Sequence, residues 1–231
     1  MRDESGFTIV ELLVSILASM AILSAIVMIT TVATHNQDRI ARRVVANERA
    51  RPLMTRVVQE LHAACIAPGI VPIIGDGTAN GSSATRISFL SKSGSDVSPV
   101  PDKHVITLTG TTLSEYVYPG TSSQAPWNFS GTASSSSKPQ LLTDVSAPSG
   151  TVFSYYGFVN GQLSTTPFPA SPGLSATDAA HTAIVRIGLT ISPNGGASRL
   201  DQRSPITLED SVDLRLENAG QYPNQDNLPC V

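Results

Sequence analysis

Glu11 is the residue of this chain that most needs a chemical explanation. It is the one ionisable side chain in about 28 consecutive residues, Phe7 to Thr34, reading FTIVELLVSILASMAILSAIVMITTVAT. A carboxylate within a spanning apolar helix is expensive at membrane depth and calls for a cationic partner. The other groups capable of chemistry are scattered. His35, His62, His104 and His181 form no H-E-x-x-H pair and no other ligand spacing, so each is expected at the surface or in a capping position. There is no G-x-S-x-G elbow. Asp76-Gly77-Thr78-Ala79-Asn80-Gly81 imitates the first half of a calcium loop, but Ile87 stands where the closing acid belongs, so a turn is expected. Cys65 and Cys230 are too few for a cysteine-rich zinc module or an iron–sulfur cluster. They leave one disulfide or two free thiols open. No catalytic centre, no cofactor site and no metal set is read from these residues, and no enzymatic activity is expected.

The composition indicates which elements must carry them. A chain of 231 residues with 41% apolar and 14% charged side chains suits one globular domain with an appendage. Aromatics are only 5%, while glycine and proline number 17 and 16, which favours a turn-rich β body over a helical bundle. The net charge of −3, with basic residues concentrated only between positions 35 and 62, argues against a nucleic-acid partner. The apolar run of residues 7–34 contains no Gly or Pro, and as a helix rising about 1.5 Å per residue it would measure about 40 Å, more than the roughly 30 Å of a hydrocarbon layer.

Residues 35–66 should continue that helix in amphipathic form. Ile40, Val44, Ala50, Met54, Val57, Leu61 and Ala64 recur mostly at three- and four-residue steps and predict a stripe that packs on a globular body. Arg39, Arg42, Arg43, Arg49 and Arg56, with Asp38, Glu48 and Glu60, are placed on the opposite face, which is expected either to be solvated or to sit against acidic neighbours in a filament. Pro52 predicts a kink or break near Arg51, and Ala67-Pro68-Gly69 predicts the end of the helix. Strands are expected at Arg86–Ser91, at His104–Thr109 with Thr112–Tyr118 as a hairpin around Gly110, at Gln140–Val145, and at Thr151–Val159 before the hairpin turn Asn160-Gly161. Two runs alternate strictly: Ala183 to Ile191, and Val212, Leu214 and Leu216 with charged residues between. Residues 130–139 and 165–175 are Pro/Ser/Thr-rich and expected as loops too polar for the core. The fold class is therefore α+β: a long N-terminal helix, apolar then amphipathic, packed on a mainly antiparallel β domain covering residues 67–231.

Three kinds of N-terminus compete for the apolar run. A secretory signal cleaved after Ala33 would carry a shorter apolar stretch and a more basic start than MRDESG. An ordinary signal anchor fits the length but gives Glu11 no role. Gly6-Phe7-Thr8-Ile9-Val10-Glu11-Leu12-Leu13, followed by some twenty apolar residues, resembles the N-terminal signal of type IV pilins and type II secretion pseudopilins. The resemblance covers residues 1 to about 34. It implies a leader of residues 1–6, cleavage between Gly6 and Phe7 by a membrane prepilin peptidase, N-methylation of Phe7, and retention of the apolar helix. The amine of a neighbouring subunit's Phe7 would then meet Glu11, which lies one turn and about 6 Å along the axis, so that a charge pair sets register between packed helices.

What the resemblance implies about function is structural: a minor pilin or pseudopilin, its size and layout nearest the larger minor components such as the J-type pseudopilin. Its partners would be the peptidase, lipid before assembly and other pilins in a filament. Its place would be the inner membrane in single-pass form with the C-terminal domain outside the cytoplasm, then a surface or periplasmic filament of a pilus, competence or secretion system. Outside the cytoplasm a Cys65–Cys230 disulfide is favoured; it would close a loop of about 165 residues and contribute about 4–5 kcal/mol on the chain-entropy model. The competing reading is a membrane-tethered adhesin or carbohydrate-binding module with the same signal, using Trp127, Tyr155, Tyr156 and Tyr222 as contacts.

Overall fold

The computed structural model describes residues 8–64, 71–78, 80–91, 100–122, 127–192 and 205–214. The chain divides into two compact units, Met1–Val44 and Val45–Val231. Helix α1 is Ile9–His62, with Pro52 inside it, so the break expected near Arg51 does not occur. The Ala67-Pro68-Gly69 signal lies outside the described residues.

Within the second unit α1 buries Ala46, Ala50, Leu53, Met54, Val57 and Leu61, an unbroken three- and four-residue period that continues to Ala64. This corrects the expected stripe at its start. Ile40 and Val44 are 62% and 49% exposed, because the six-residue step from Val44 to Ala50 already left the period, and Ala46 is the residue that restores it.

The first sheet is the antiparallel meander β1 (Arg86–Ser91), β2 (Asp102–Thr109), β3 (Thr112–Tyr118) and β4 (Lys138–Leu142). The β2–β3 hairpin closes over Gly110 with Thr109 opposite Thr112 as the composition predicts, the glycine taking the positive φ of 60° that a tight turn requires. The expected strand at Gln140–Val145 is split. β4 ends at Leu142, Asp144 adopts a φ of 61°, and β5 (Val145–Ser146) joins a different sheet. Two residues thus carry the chain from one sheet to the next, a step that an apolar pattern alone does not reveal.

The second sheet is built on β8 (Thr182–Ile191). One side pairs with β5 and β6 (Phe153–Val159), and the other pairs with β9 (Ile206–Asp213) along its length. β6 continues through Asn160-Gly161, both at positive φ, into β7 (Gln162–Leu163). β8 keeps the predicted alternation, with Val185, Ile187, Leu189 and Ile191 buried. The expected strand from Val212 to Glu217 is met only at its start: β9 begins earlier, at Ile206, and includes Val212 and Asp213, while positions beyond Leu214 are outside the described residues. Ile206 and Leu208 hold the same parity as Val212, so the period was present, but Glu209, Asp210 and Ser211 disguise it on an edge strand whose faces are mostly wet.

Apolar residues of α1 and of both sheets form one core, from Ala46 and Leu61 through Ile87, Phe89 and Ile106 to Phe153, Tyr155, Val185 and Val212. Each fully buried Leu, Ile or Phe contributes about 1.5–3 kcal/mol of transfer free energy before entropy is counted. The loop of residues 165–175 is more than surface. Leu174 is fully buried and its N–H donates to Ser82 O, while Phe168 and Ala170 pack on the core. The loop then feeds α2 (Ala176–His181), where Ser175 accepts the Asp178 N–H as an N-cap.

Candidate functional site

The apolar half of α1 is exposed throughout its described length, from Ile9 at 83% to Val32 at 56%, and its most apolar 18-residue window has a mean hydropathy of 2.7. Its length and composition suffice to span a membrane. The polar side chains inside it are all satisfied by the helix that carries them. Ser15, Ser19, Ser24, Thr30, Thr31 and Thr34 each donate a hydroxyl hydrogen to a backbone carbonyl three or four residues back. In hydrocarbon, where no water competes, such back-bonding removes the desolvation cost of a hydroxyl.

Glu11 follows the same rule at the helix start. Its Oε2 accepts the Thr8 N–H at 3.1 Å and the Thr8 hydroxyl at 3.0 Å, and the Glu11 N–H donates to Thr8 Oγ1 at 3.3 Å. This is a reciprocal capping box, and the spacing Thr8-x-x-Glu11 was its sequence signal. Sequence reasoning had assigned Glu11 a role between molecules only. It also closes its own helix. Gly6, Phe7, Cys65 and Cys230 lie outside the described residues, so the scissile bond, the methylated residue and the disulfide are not placed.

The second unit holds a buried ionic group that the sequence reading missed. Arg56 Nε donates to Glu60 Oε1 at 2.7 Å and Arg56 NH2 to Glu115 Oε2 at 2.6 Å. His104 Nδ1 stands 3.2 Å from Glu115 Oε1, and since an ionised carboxylate only accepts, the nitrogen carries the hydrogen. The side chains of His104 and Glu115 are both 1% exposed. Two expectations are corrected here, and Glu115 is new. Arg56 and Glu60 do not lie on a solvated face: one turn apart, they border the buried stripe of α1 and reach the sheet. His104 is not a surface residue but stacks on Phe89 at 5.4 Å between ring centres. Glu115 occupies the buried parity of β3, between Leu113 and Val117. That period-two position was the available signal, since an acid on the core face of a strand needs a cation. In the β2–β3 ladder His104 faces Val117 and Ile106 faces Glu115, so His104 and Glu115 are diagonal neighbours on one face.

Glu60, His104 and Glu115 offer donor atoms within 4.8 Å of one another, but Arg56 already bonds both carboxylates, and the arrangement is an ion network. Asp76 Oδ1 accepts the N–H groups of Thr78 and Gly81 and the Thr78 hydroxyl, the turn expected there. Among the proposed aromatic contacts, Tyr155 is fully buried and its hydroxyl bridges Ser83 O and Arg86 O, joining the two sheets. Tyr156 lies under Arg186, Trp127 packs beside Leu90, and Tyr222 is outside the described residues. Tyr155 is therefore removed from the adhesive surface by its role in the core.

Compared with models of known families, with characterised proteins and with solved structures, the chain finds no match. What stands is architectural: a long apolar N-terminal helix followed by a β-rich domain, an α+β arrangement consistent with that of pilin-like proteins.

Proposed function

We propose that this chain is a minor pilin or pseudopilin, processed between Gly6 and Phe7 by a prepilin peptidase and assembled through α1 into a filament of a type IV pilus, competence or secretion system. The observation that carries the reading is the solitary charge of Glu11. In the apolar half of α1, where the hydroxyls from Ser15 to Thr34 bond back to the helix's own carbonyls and the large apolar side chains from Ile9 to Val32 are exposed, Glu11 is the one charged group and the one with an electrostatic demand on a neighbour. An amine created at Phe7 of an adjacent subunit meets that demand, and lipid holds the same helix before assembly. The capping bonds to Thr8 do not exclude this, since a carboxylate has sites for about four donors.

The capping box gives the proposal a sharper test than removal of the side chain. Glu11→Ala destroys cap and charge together, whereas Glu11→Gln keeps a side-chain acceptor for Thr8 and removes only the charge. The expected outcome is normal insertion and processing of Glu11→Gln with filament incorporation reduced about tenfold or more, the equivalent of about 1.4 kcal/mol. Incorporation at wild-type level would show that the carboxylate serves the helix terminus alone.

A further inference from the structure

The buried ionic group between α1, β2 and β3 sets two carboxylates against one guanidinium. Arg56 bonds both Glu60 and Glu115, at a place where Glu115 and His104 are 1% exposed and Glu60 is 16% exposed. The hydrogen bonds show which carboxylate oxygen is left out. Three of the four carboxylate oxygens have donors: Glu60 Oε1 and Glu115 Oε2 from Arg56, and Glu115 Oε1 from His104. The fourth, Glu60 Oε2, is buried without one. A buried acceptor left unmade costs about 1–3 kcal/mol, more when charged.

We propose that Glu60 holds a proton at neutral pH and donates it to the Glu115 carboxylate, so that the Arg56–Glu60–Glu115–His104 group is a proton-dependent latch of α1 on the β2–β3 hairpin. The proton removes the repulsion between two neighbouring carboxylates and turns the orphan oxygen into a donor. A divalent cation at the same place would leave an excess positive charge and compete with Arg56 for the carboxylates it already holds. Burial, aided by the neighbouring Glu115 charge, pushes the Glu60 carboxyl above its ordinary 4.5, against the pull of Arg56. Burial also pushes Glu115 up, but the His104 hydrogen bond and the Arg56 charge hold it lower. The proton therefore resides on Glu60. On the adjoining strands, β1 contributes Phe89, and on β4 Lys138 sits opposite Glu115 in register but is exposed and outside the ion pairs.

The sign follows from linkage. A carboxyl with a raised folded pKa contributes stability that is present below its unfolded value and is lost as pH rises through the folded value; for Glu115 the loss comes as pH falls through its lowered value. The domain should be firmest in the mildly acidic interval between them and loosen on the alkaline side.

The experiment is thermal unfolding of the full chain in detergent micelles from about pH 8 to about pH 5.5, with wild type beside Glu60→Gln. Glutamine is neutral at every pH in that range and can donate to Glu115 as the protonated acid would. The wild-type Tm should rise by several degrees as pH falls, while Glu60→Gln starts high and stays flatter; every other ionisable group is common to the two proteins, so the difference between them isolates Glu60. An infrared band of a protonated carboxyl at neutral pH, lost in Glu60→Gln, is the direct signature. Equal pH slopes in the two proteins, or no such band, overturn the proposal. So does a rise in wild-type Tm on adding Zn2+ that Glu60→Gln abolishes, which would give the site to a metal.

Discussion

Between Thr8 and Thr34 the polar side chains of α1 bond to groups no more than four residues away, whereas Arg56 of the same helix reaches Glu115, 59 residues further along the chain. The first region makes its polar atoms self-sufficient and leaves its apolar surface uncovered. The second covers its apolar surface with two sheets and leaves its polar atoms dependent on distant partners. A helix that must move from lipid to other surroundings benefits from carrying its hydrogen bonds with it. A helix that belongs to one folded core can entrust them to that core, and an error in any partner then costs more.

Substitutions that remove one partner in each region test this difference. The largest effect is expected from Arg56→Met, which keeps the apolar stem but strips the cation from two adjacent carboxylates, one of them fully buried. At about pH 8 it should cost about 3 kcal/mol or more, read as a fall in Tm of about 6–12 °C by differential scanning calorimetry of the full chain in micelles. Loss of less than a degree would mean that the carboxylates are not held by Arg56. The smallest effect is expected from Ser24→Ala, whose hydroxyl only bonds back to Ala21 O. Helicity and Tm should stay within the roughly 0.5 kcal/mol of a neutral surface change. A large loss of stability or of membrane insertion would mean that Ser24 serves a neighbour instead of its own helix.

The same local-versus-distant distinction decides what was legible in the sequence. The β6–β7 turn at Asn160-Gly161 and the alternation of Ala183 to Ile191 depend on neighbours in sequence, and both are present where the pattern placed them. The break between β4 and β5, the burial of Leu174 and the inward turn of Arg56 and Glu60 depend on residues far along the chain, and none was visible in local pattern. Glu115 and His104 are intermediate cases. Their parity with Leu113, Val117 and Ile106 put them on a core face, but which cation would meet the acid required the β2–β3 register and the face of α1 above it. Glu11 shows the opposite error. Its spacing from Thr8 is a local signal, yet its isolation in an apolar run drew the reading toward a partner molecule and past the cap.

Everything proposed for α1 rests on an amine appearing beside that helix, and intact-mass analysis of the protein isolated from cell envelopes tests this most directly. A first residue of Phe7 bearing a single N-methyl group is the predicted result. A chain that still begins at Met1, or one that begins beyond Ala33, would contradict the assembly reading and leave Glu11 with its capping role alone.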